Sequence, residues 1–205
     1  MRLSCHAKPP RALISTLKCV ANEAFELFFA LLALLALVGS LAIVAARFAG
    51  GRAGRTLVAG LAPLSIAVPA LVTSVSMVGS LYFSEAVGYR PCVLCWYQRI
   101  AMYSLAIILV IAAVRKDRAI AYATVLAALG AGIAGYHWLL ERWPSLDTGT
   151  CSADAPCSVP YFEVFGFVSL AFMAFSAFVT VLVFLWVVSP SSAATIETES
   201  ESVSH

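Results

Sequence analysis

A chain of 205 residues of which 61% are hydrophobic is far more apolar than a soluble globule, where about 45–50% is usual. Its 13 Lys and Arg against 11 Asp and Glu leave a formal charge of +2, too small to suggest nucleic acid and better read as a set of topology signals. The length allows one helical bundle with short loops and excludes a large soluble domain.

Residues 1–24 form a mixed polar N-terminal tail with Arg2, Lys8, Arg11 and Lys18. Phe25–Ala46 is the first apolar span, long enough for a bilayer crossing of ~20 residues. Ala45-Ala46 also resembles a signal-peptide cleavage site. Against cleavage, the stretch exceeds the ~7–15 residues of a signal core and Glu23 and Glu26 stand near its start. Arg47, Arg52 and Arg55 follow in a Gly-rich linker, so residues 25–56 read as an extra transmembrane helix and a basic linker. Leu57–Phe83 is the second span, with Pro63 and Pro69 expected to kink it or delay its regular start. After a short polar loop, Glu85–Pro91, the third span runs Trp96–Val114 and ends at Arg115-Lys116-Asp117-Arg118. The fourth is Ala119–Leu140, followed by a polar loop, Glu141–Tyr161, and a fifth span, Val164–Val188. Residues 189–205 are rich in Ser and Glu and are expected to be a disordered tail. The expected fold is an all-α integral membrane protein. Residues 57–188 make a four-helix transmembrane bundle with two cysteine-bearing loops, preceded by the extra N-terminal transmembrane helix.

The basic residues cluster in the 47–56 and 115–118 loops, whereas the cysteine loops carry only Arg90 and Arg142. The positive-inside rule then puts both cysteine loops outside the cytoplasm. Parity agrees, because two spans separate Cys95 from Cys151. An extra span at the front puts the four basic residues of the N-terminus outside as well, against the same rule.

Six cysteines are present. Cys5 and Cys19 stand apart in the N-terminal region, and nothing says whether they pair. Cys92 and Cys95 form a Cys-x-x-Cys pair at the mouth of the third span. There Pro91 suits a first helical turn, and the free N–H groups and helix dipole stabilise a thiolate. Helical spacing puts Cys92, Cys95 and Arg99 on one face, with Arg99 about 6 Å deeper than Cys95. An arginine inside an apolar span is expensive. It either snorkels to the surface or supports the Cys95 thiolate and donates to a carbonyl of a bound electron carrier. A Cys-x-x-Cys disulfide closes a small ring that stabilises little, which favours a redox role over a structural one. Cys151 and Cys157 sit in an exposed Pro-rich loop. Spacing alone leaves them open as a loop staple or as a disulfide that a partner thiolate attacks. His137 reads as a packed residue near the end of the fourth span. Tyr82, Phe83, Trp96, Tyr97, Trp138 and Trp143 read as an interfacial belt, some of them able to line a flat, ring-binding pocket. Two dithiols beside a bilayer suggest electron transfer from proteins outside it to a carrier dissolved in it.

The run Met77 to Glu85, the motif Pro91-Cys92-Val93-Leu94-Cys95-Trp96-Tyr97-Gln98-Arg99 with its continuation to Tyr103, the run Tyr136 to Glu141, the Cys151–Cys157 pair and Phe165-Gly166-Phe167 together resemble the disulfide bond formation protein B (DsbB) family. The likeness is closest to its compact BdbC-type branch and covers about Ala70 to Val188. It implies a protein dithiol:quinone oxidoreductase in a bacterial cell membrane. Such an enzyme reoxidises an extracytoplasmic thioredoxin-like (DsbA-like) thiol oxidase and passes electrons to ubiquinone or menaquinone. By this likeness Cys92 and Cys95 are the quinone-coupled pair, with Cys95 nearest the quinone and Arg99 its support. Cys151 and Cys157 exchange with the partner, Cys151 being attacked first. Long-loop members carry Glu where this chain has Gln98, so acid catalysis at that position does not carry over. No resident metal and no nucleic-acid partner are implied. Two alternatives remain: a vitamin K epoxide reductase-like enzyme, against which the Trp96-Tyr97-Gln98-Arg99 continuation speaks, and a membrane assembly factor binding metal through four thiolates.

Overall fold

A computed structural model describes residues 12–115, 120–147, 149, 151 and 156–188, with the side chains of residues 12–19 outside the description. Cys5, the side chain of Cys19, most of the 115–118 loop and the 189–205 tail therefore lie outside the described residues. Within them the protein is helical apart from one isolated antiparallel bridge, Val164 to Val168.

Six α-helices are α1 (Ala12–Ala49), α2 (Gly51–Gly60), α3 (Ala67–Leu81), α4 (Val93–Arg115), α5 (Ile120–Arg142) and α6 (Leu170–Val183). Among the described residues, five segments are long and apolar enough to cross a membrane: Val20–Ala49, Ala62–Ala86, Val93–Arg115, Ile120–Arg142 and Leu170–Val188. The chain is thus an all-α, multi-pass membrane protein. α1 begins well inside the stretch read as a polar tail.

The second span is broken where its prolines fall. Pro63 lies in a 3-10 turn, Ala62–Leu64, and Pro69 in the first turn of α3, where a missing N–H costs nothing. α3 then ends in one π-helical turn, Tyr82–Ala86. The fifth span starts at Leu170 rather than Val164. Residues 164–168 instead make a tight turn, with Phe165 at φ 57° and Gly166 at φ 77°, a conformation that stops helix growth. Ser169 caps α6 by accepting the Phe172 N–H at 3.3 Å, and its hydroxyl also donates to Glu141. The end of α5 holds the turn: Trp138 donates to the Phe167 carbonyl at 3.0 Å, and Arg142 to the Gly166 carbonyl at 3.1 Å. Arg142 also pairs with Glu163 at 2.7 Å.

Apolar transfer does not drive helix association inside lipid, so close packing must do it. α5 presents a stripe of small buried residues, Ala123, Ala127, Gly130, Ala131 and Ala134, into which Phe178 of α6 fits. A Cβ on Gly130 would lie 2.3 Å from the Phe178 ring, which has no exposed surface and no room to retreat. Gly130→Ala is therefore expected to destabilise the bundle by roughly 1–3 kcal/mol. A lowered thermal unfolding midpoint in detergent would show it, and an unchanged midpoint would mean the ring can move.

α1 runs parallel to α6. Ala30 packs against Val168 and Phe172 at one end, and Ile43 and Ala46 lie beside Phe184 and Val188 at the other. Ser40 Oγ donates to Thr180 Oγ1 at 3.0 Å between them. The N-terminal part of α1 therefore stands at the cysteine end of the molecule, as an extra span at the front requires, despite the basic residues ahead of it.

Candidate functional site

Cys92 directly precedes α4, and its sulfur accepts the backbone N–H of Cys95 at 3.3 Å. It occupies the place of a capping serine, so the sulfur meets the free N–H groups of the helix end. The sequence expectation put Cys92 inside the helix and on one face with Cys95 and Arg99. Because Cys92 lies before the first helical residue, helical periodicity does not govern it, and the two cysteines face different neighbours. Pro91 likewise precedes the helix rather than opening it.

Cys92 turns toward α5 and the second cysteine loop. It is 5% exposed and shares an apolar cluster with Leu94, Leu140 and Cys157. Cys151 and Cys157 are joined as a disulfide with Cα atoms 5.8 Å apart. Cys157 is 2% exposed, while Cys151 is partly accessible. Cys92 and Cys95 are unbonded thiols with sulfurs 2.8 Å apart. Both pairs thus meet in one cluster at one end of the bundle.

His137, read from the sequence as a packed residue, completes this cluster. It is 4% exposed, with Nε2 3.7 Å from the Cys92 sulfur and Nδ1 2.9 Å from the Gln98 amide nitrogen. An amide nitrogen facing Nδ1 makes that atom an acceptor and leaves the ring proton on Nε2, toward Cys92. Cys92, Cys95 and His137 place one donor atom each within 4.8 Å of one another. The four-thiolate arrangement is not what these residues form, since the loop sulfurs are bonded to each other.

The hydrogen bond from Cys95 first, then His137, pushes the Cys92 thiol down to about 4, against the opposing effect of burial. Both interactions favour the anionic form of Cys92. Removing His137 removes a stabiliser of the anion, so His137→Ala should move the pH midpoint of Cys92 alkylation upward by roughly one to two units. Iodoacetamide labelling across pH with peptide mapping would measure this, and an unchanged midpoint would leave His137 a packing residue.

Cys95 lies on the other side, in the wall of a cavity of about 120 Å³. Arg99, Gln98 and Met102 of α4 continue that wall. Ser80 of α3, Met173 of α6 and Tyr161 face them. The cavity is mostly apolar with a few convergent polar groups, as ligand sites usually are. Arg99 is partly exposed, and its hydrogen bond goes elsewhere than to the Cys95 sulfur. Its Nη2 donates to the Ser80 carbonyl at 3.0 Å, at the last turn of α3, and the guanidinium lies 5.6 Å from the Trp96 ring. A helix C-terminus carries partial negative charge and suits a cation. The remaining N–H groups give Arg99 further donor capacity beside the cavity. The π-helical turn after α3 buries Phe83 and stacks it on Tyr89 at 6.0 Å. Trp96, Tyr97 and Trp143 stay largely exposed, as belt residues do. Phe83 is the member of the aromatic set that the cavity takes. The arrangement can exchange disulfides in one cluster and hold a flat, ring-sized acceptor beside Cys95.

The family model described as "Disulfide bond formation protein DsbB" matches residues 62–188. "Disulfide bond formation protein C" of Bacillus subtilis is 41% identical over 117 residues, 56% of this chain and 85% of the relative. "Probable disulfide formation protein C 1" of Bacillus anthracis is 41% identical over 116 residues, 56% and 84%. "Probable disulfide formation protein" of Oceanobacillus iheyensis is 40% identical over 111 residues, 53% and 77%. No solved structure matches the chain.

Proposed function

This chain belongs to the DsbB family of disulfide bond formation proteins, and from that premise we propose that it is a protein dithiol:quinone oxidoreductase. Family membership makes it an oxidoreductase of membrane disulfide bond formation. The finer reading rests on one observation. The loop disulfide packs on Cys92, while Cys95 opens onto an apolar cavity with Arg99 in its wall.

A thioredoxin-like thiol oxidase of the DsbA kind is the donor. Its thiolate attacks Cys151, the accessible sulfur, and Cys157 leaves as a thiolate. The donor's second thiol then resolves the mixed disulfide, leaving the donor oxidised and Cys151 and Cys157 as thiols. The Cys92–Cys95 disulfide oxidises these in turn: Cys157 attacks Cys92 and the Cys95 thiolate departs at the cavity, then Cys151 attacks Cys157, re-forming the loop disulfide and releasing Cys92 as a thiol. The resulting Cys92 and Cys95 dithiol gives up two electrons and two protons and closes again as a disulfide. A quinone, ubiquinone or menaquinone, supplies the two-electron acceptor and leaves as quinol. The cavity fits such a group, because its lining is apolar and aromatic and Arg99 offers a donor to a ring carbonyl within reach of Cys95. His137 holds Cys92 as an anion, and Gln98 holds His137.

We place both cysteine pairs outside the cytoplasm of a bacterial cell membrane, from the basic residues Arg47, Arg52, Arg55 and Arg115 at the opposite end. After reduction, a membrane-impermeant thiol reagent should label Cys151 or Cys157 in intact cells. Labelling only after lysis would reverse the topology.

The activity is tested by anaerobic mixing of the purified, reduced protein with a soluble benzoquinone. Loss of one quinone per dithiol is the expected result, two per protein when both cysteine pairs start reduced. Stoichiometric zinc under reducing conditions, with no quinone reduced, would replace this reading with a metal-binding one.

A further inference from the structure

We propose that α1, which lies outside the matched family region, is a working wall of the cavity. Phe29 closes its α3–α6 side, and Glu26 fixes the tyrosine at its mouth. The inference rests on the reading of the cavity as a quinone site. It adds that a helix beyond the family core sets part of that site's affinity.

The family match begins at residue 62, whereas α1 ends at Ala49. An anchoring helix needs only apolar side chains, and most of α1 has them. Near the cysteine end it departs from that pattern. Glu26 lies within an apolar span, where a carboxylate is expensive unless it is partnered. Its partner is Tyr89, whose hydroxyl donates to Glu26 Oε1 at 2.7 Å. Tyr89 lines the cavity just ahead of the Cys-x-x-Cys motif. It stacks on Tyr161, another lining ring, with centroids 4.6 Å apart and planes 12° from parallel. The Tyr161 hydroxyl donates in turn to the Arg90 carbonyl. Glu26 therefore fixes one lining ring directly and a second through it. Burial, and then Glu26, raise the Tyr89 phenol above its usual range, so it stays a neutral donor in this pair.

Phe29 follows three residues later, on the same side of the helix. Its ring lies over Gly79 of α3, where a Cβ would sit 2.8 Å from the ring carbons. The bare backbone at Gly79 is what admits the ring. From there Phe29 meets Phe83 edge-on at 5.8 Å and forms part of the cavity lining. One face of α1 thus supplies a ring to the cavity and a hydrogen bond to its mouth, while Leu35 on its outer face is 70% exposed.

The test uses the full chain in nanodiscs. Binding of a short-tailed benzoquinone to the oxidised protein is followed by quenching of tryptophan emission, beside kcat and KM for the same compound. Phe29→Ala should raise Kd and KM together by roughly five- to thirtyfold, from lost ring contact. It should leave kcat and thiol exchange with a small dithiol nearly unchanged, with Phe29→Leu in between. Glu26→Ala and Tyr89→Phe should each weaken binding by roughly three- to tenfold. Combined they should do no more than either alone, and Glu26→Gln, which keeps an acceptor, should stay close to the parent. Leu35→Ala serves as the control for general damage to α1. Unchanged Kd in a folded Phe29→Ala protein, or additive effects of Glu26→Ala and Tyr89→Phe, would overturn the proposal. A second readout does not depend on the quinone. Alkylation of reduced Cys95 by a lipid-soluble maleimide should speed up in Phe29→Ala, because the wall is opened. If the parent protein binds no quinone, the quinone reading fails by itself. Cys95 alkylation then decides the wall: faster labelling upholds it, and an unchanged rate overturns it.

Discussion

Cys151→Ser and Cys157→Ser are each expected to abolish turnover with a protein dithiol donor, a loss on the order of a thousandfold or more. Quinone reduction by a small dithiol such as dithiothreitol should survive in both. The reason is the geometry of the cluster. A bulky donor reaches Cys151, the accessible sulfur of the loop pair, while Cys157 is sealed against Cys92. Without either sulfur the protein donor has nothing to exchange with at the surface. A small dithiol needs no such relay, because Cys95 borders an open cavity. The two variants should also differ in what they trap. Cys157→Ser leaves Cys151 as a lone thiol that can attack the oxidised, disulfide form of the donor and hold it as a mixed disulfide, releasing the donor's other cysteine as a thiol, whereas Cys151→Ser does not. Non-reducing gels with a thioredoxin-like donor, run beside quinone absorbance with each reductant, would show this. Equal loss with both reductants would argue against a relay.

Arg99→Ala should impair quinone use by roughly ten- to a hundredfold in KM or kcat, while thiol exchange among the cysteines is spared. That range corresponds to ~1.5–3 kcal/mol for a hydrogen bond to a charged group, in a low-dielectric layer that strengthens it. The structure refines why. Arg99 is tethered to the Ser80 carbonyl rather than to the Cys95 sulfur, so its substitution removes a held donor in the cavity wall without removing a thiolate partner. Arg99→Lys should recover only part, since an ammonium cannot span Ser80 and a ligand carbonyl with a planar fork. Steady-state kinetics against quinone concentration decide the matter. An unchanged quinone dependence in a folded variant would leave Arg99 a structural tie between α3 and α4.

The five spans were legible because hydropathy is a local property, and so were the paired cysteines and the depth of Arg99. What the sequence hid depends on contacts between distant segments. Gln98 and His137 are 39 residues apart and meet at 2.9 Å, and only the packing of α4 on α5 brings them together. His137 looks like any histidine at a helix end until Cys92 is placed beside it. Glu26 was weighed as evidence against a signal peptide, and its partner Tyr89 lies 63 residues on. Of the expected shared face, Cys95 and Arg99 do line one cavity, while Cys92, one residue before α4, turns toward Leu140 and Cys157 with its sulfur 2.8 Å from that of Cys95. The early end of α3 in a π turn and the late start of α6 share one origin. Hydropathy finds a span but not the turn where its regular hydrogen bonding stops.

Both sulfur pairs, the histidine between them and the cavity all stand at one end of the bundle. In the reaction proposed above, every electron and proton leaving the donor would therefore be delivered without passing through the thickness of the bilayer. A charge carried across would feel about 2.3 kcal/mol per 100 mV of membrane potential. Transfer along one surface feels almost none, so oxidation by this protein should neither build a voltage nor be held back by one.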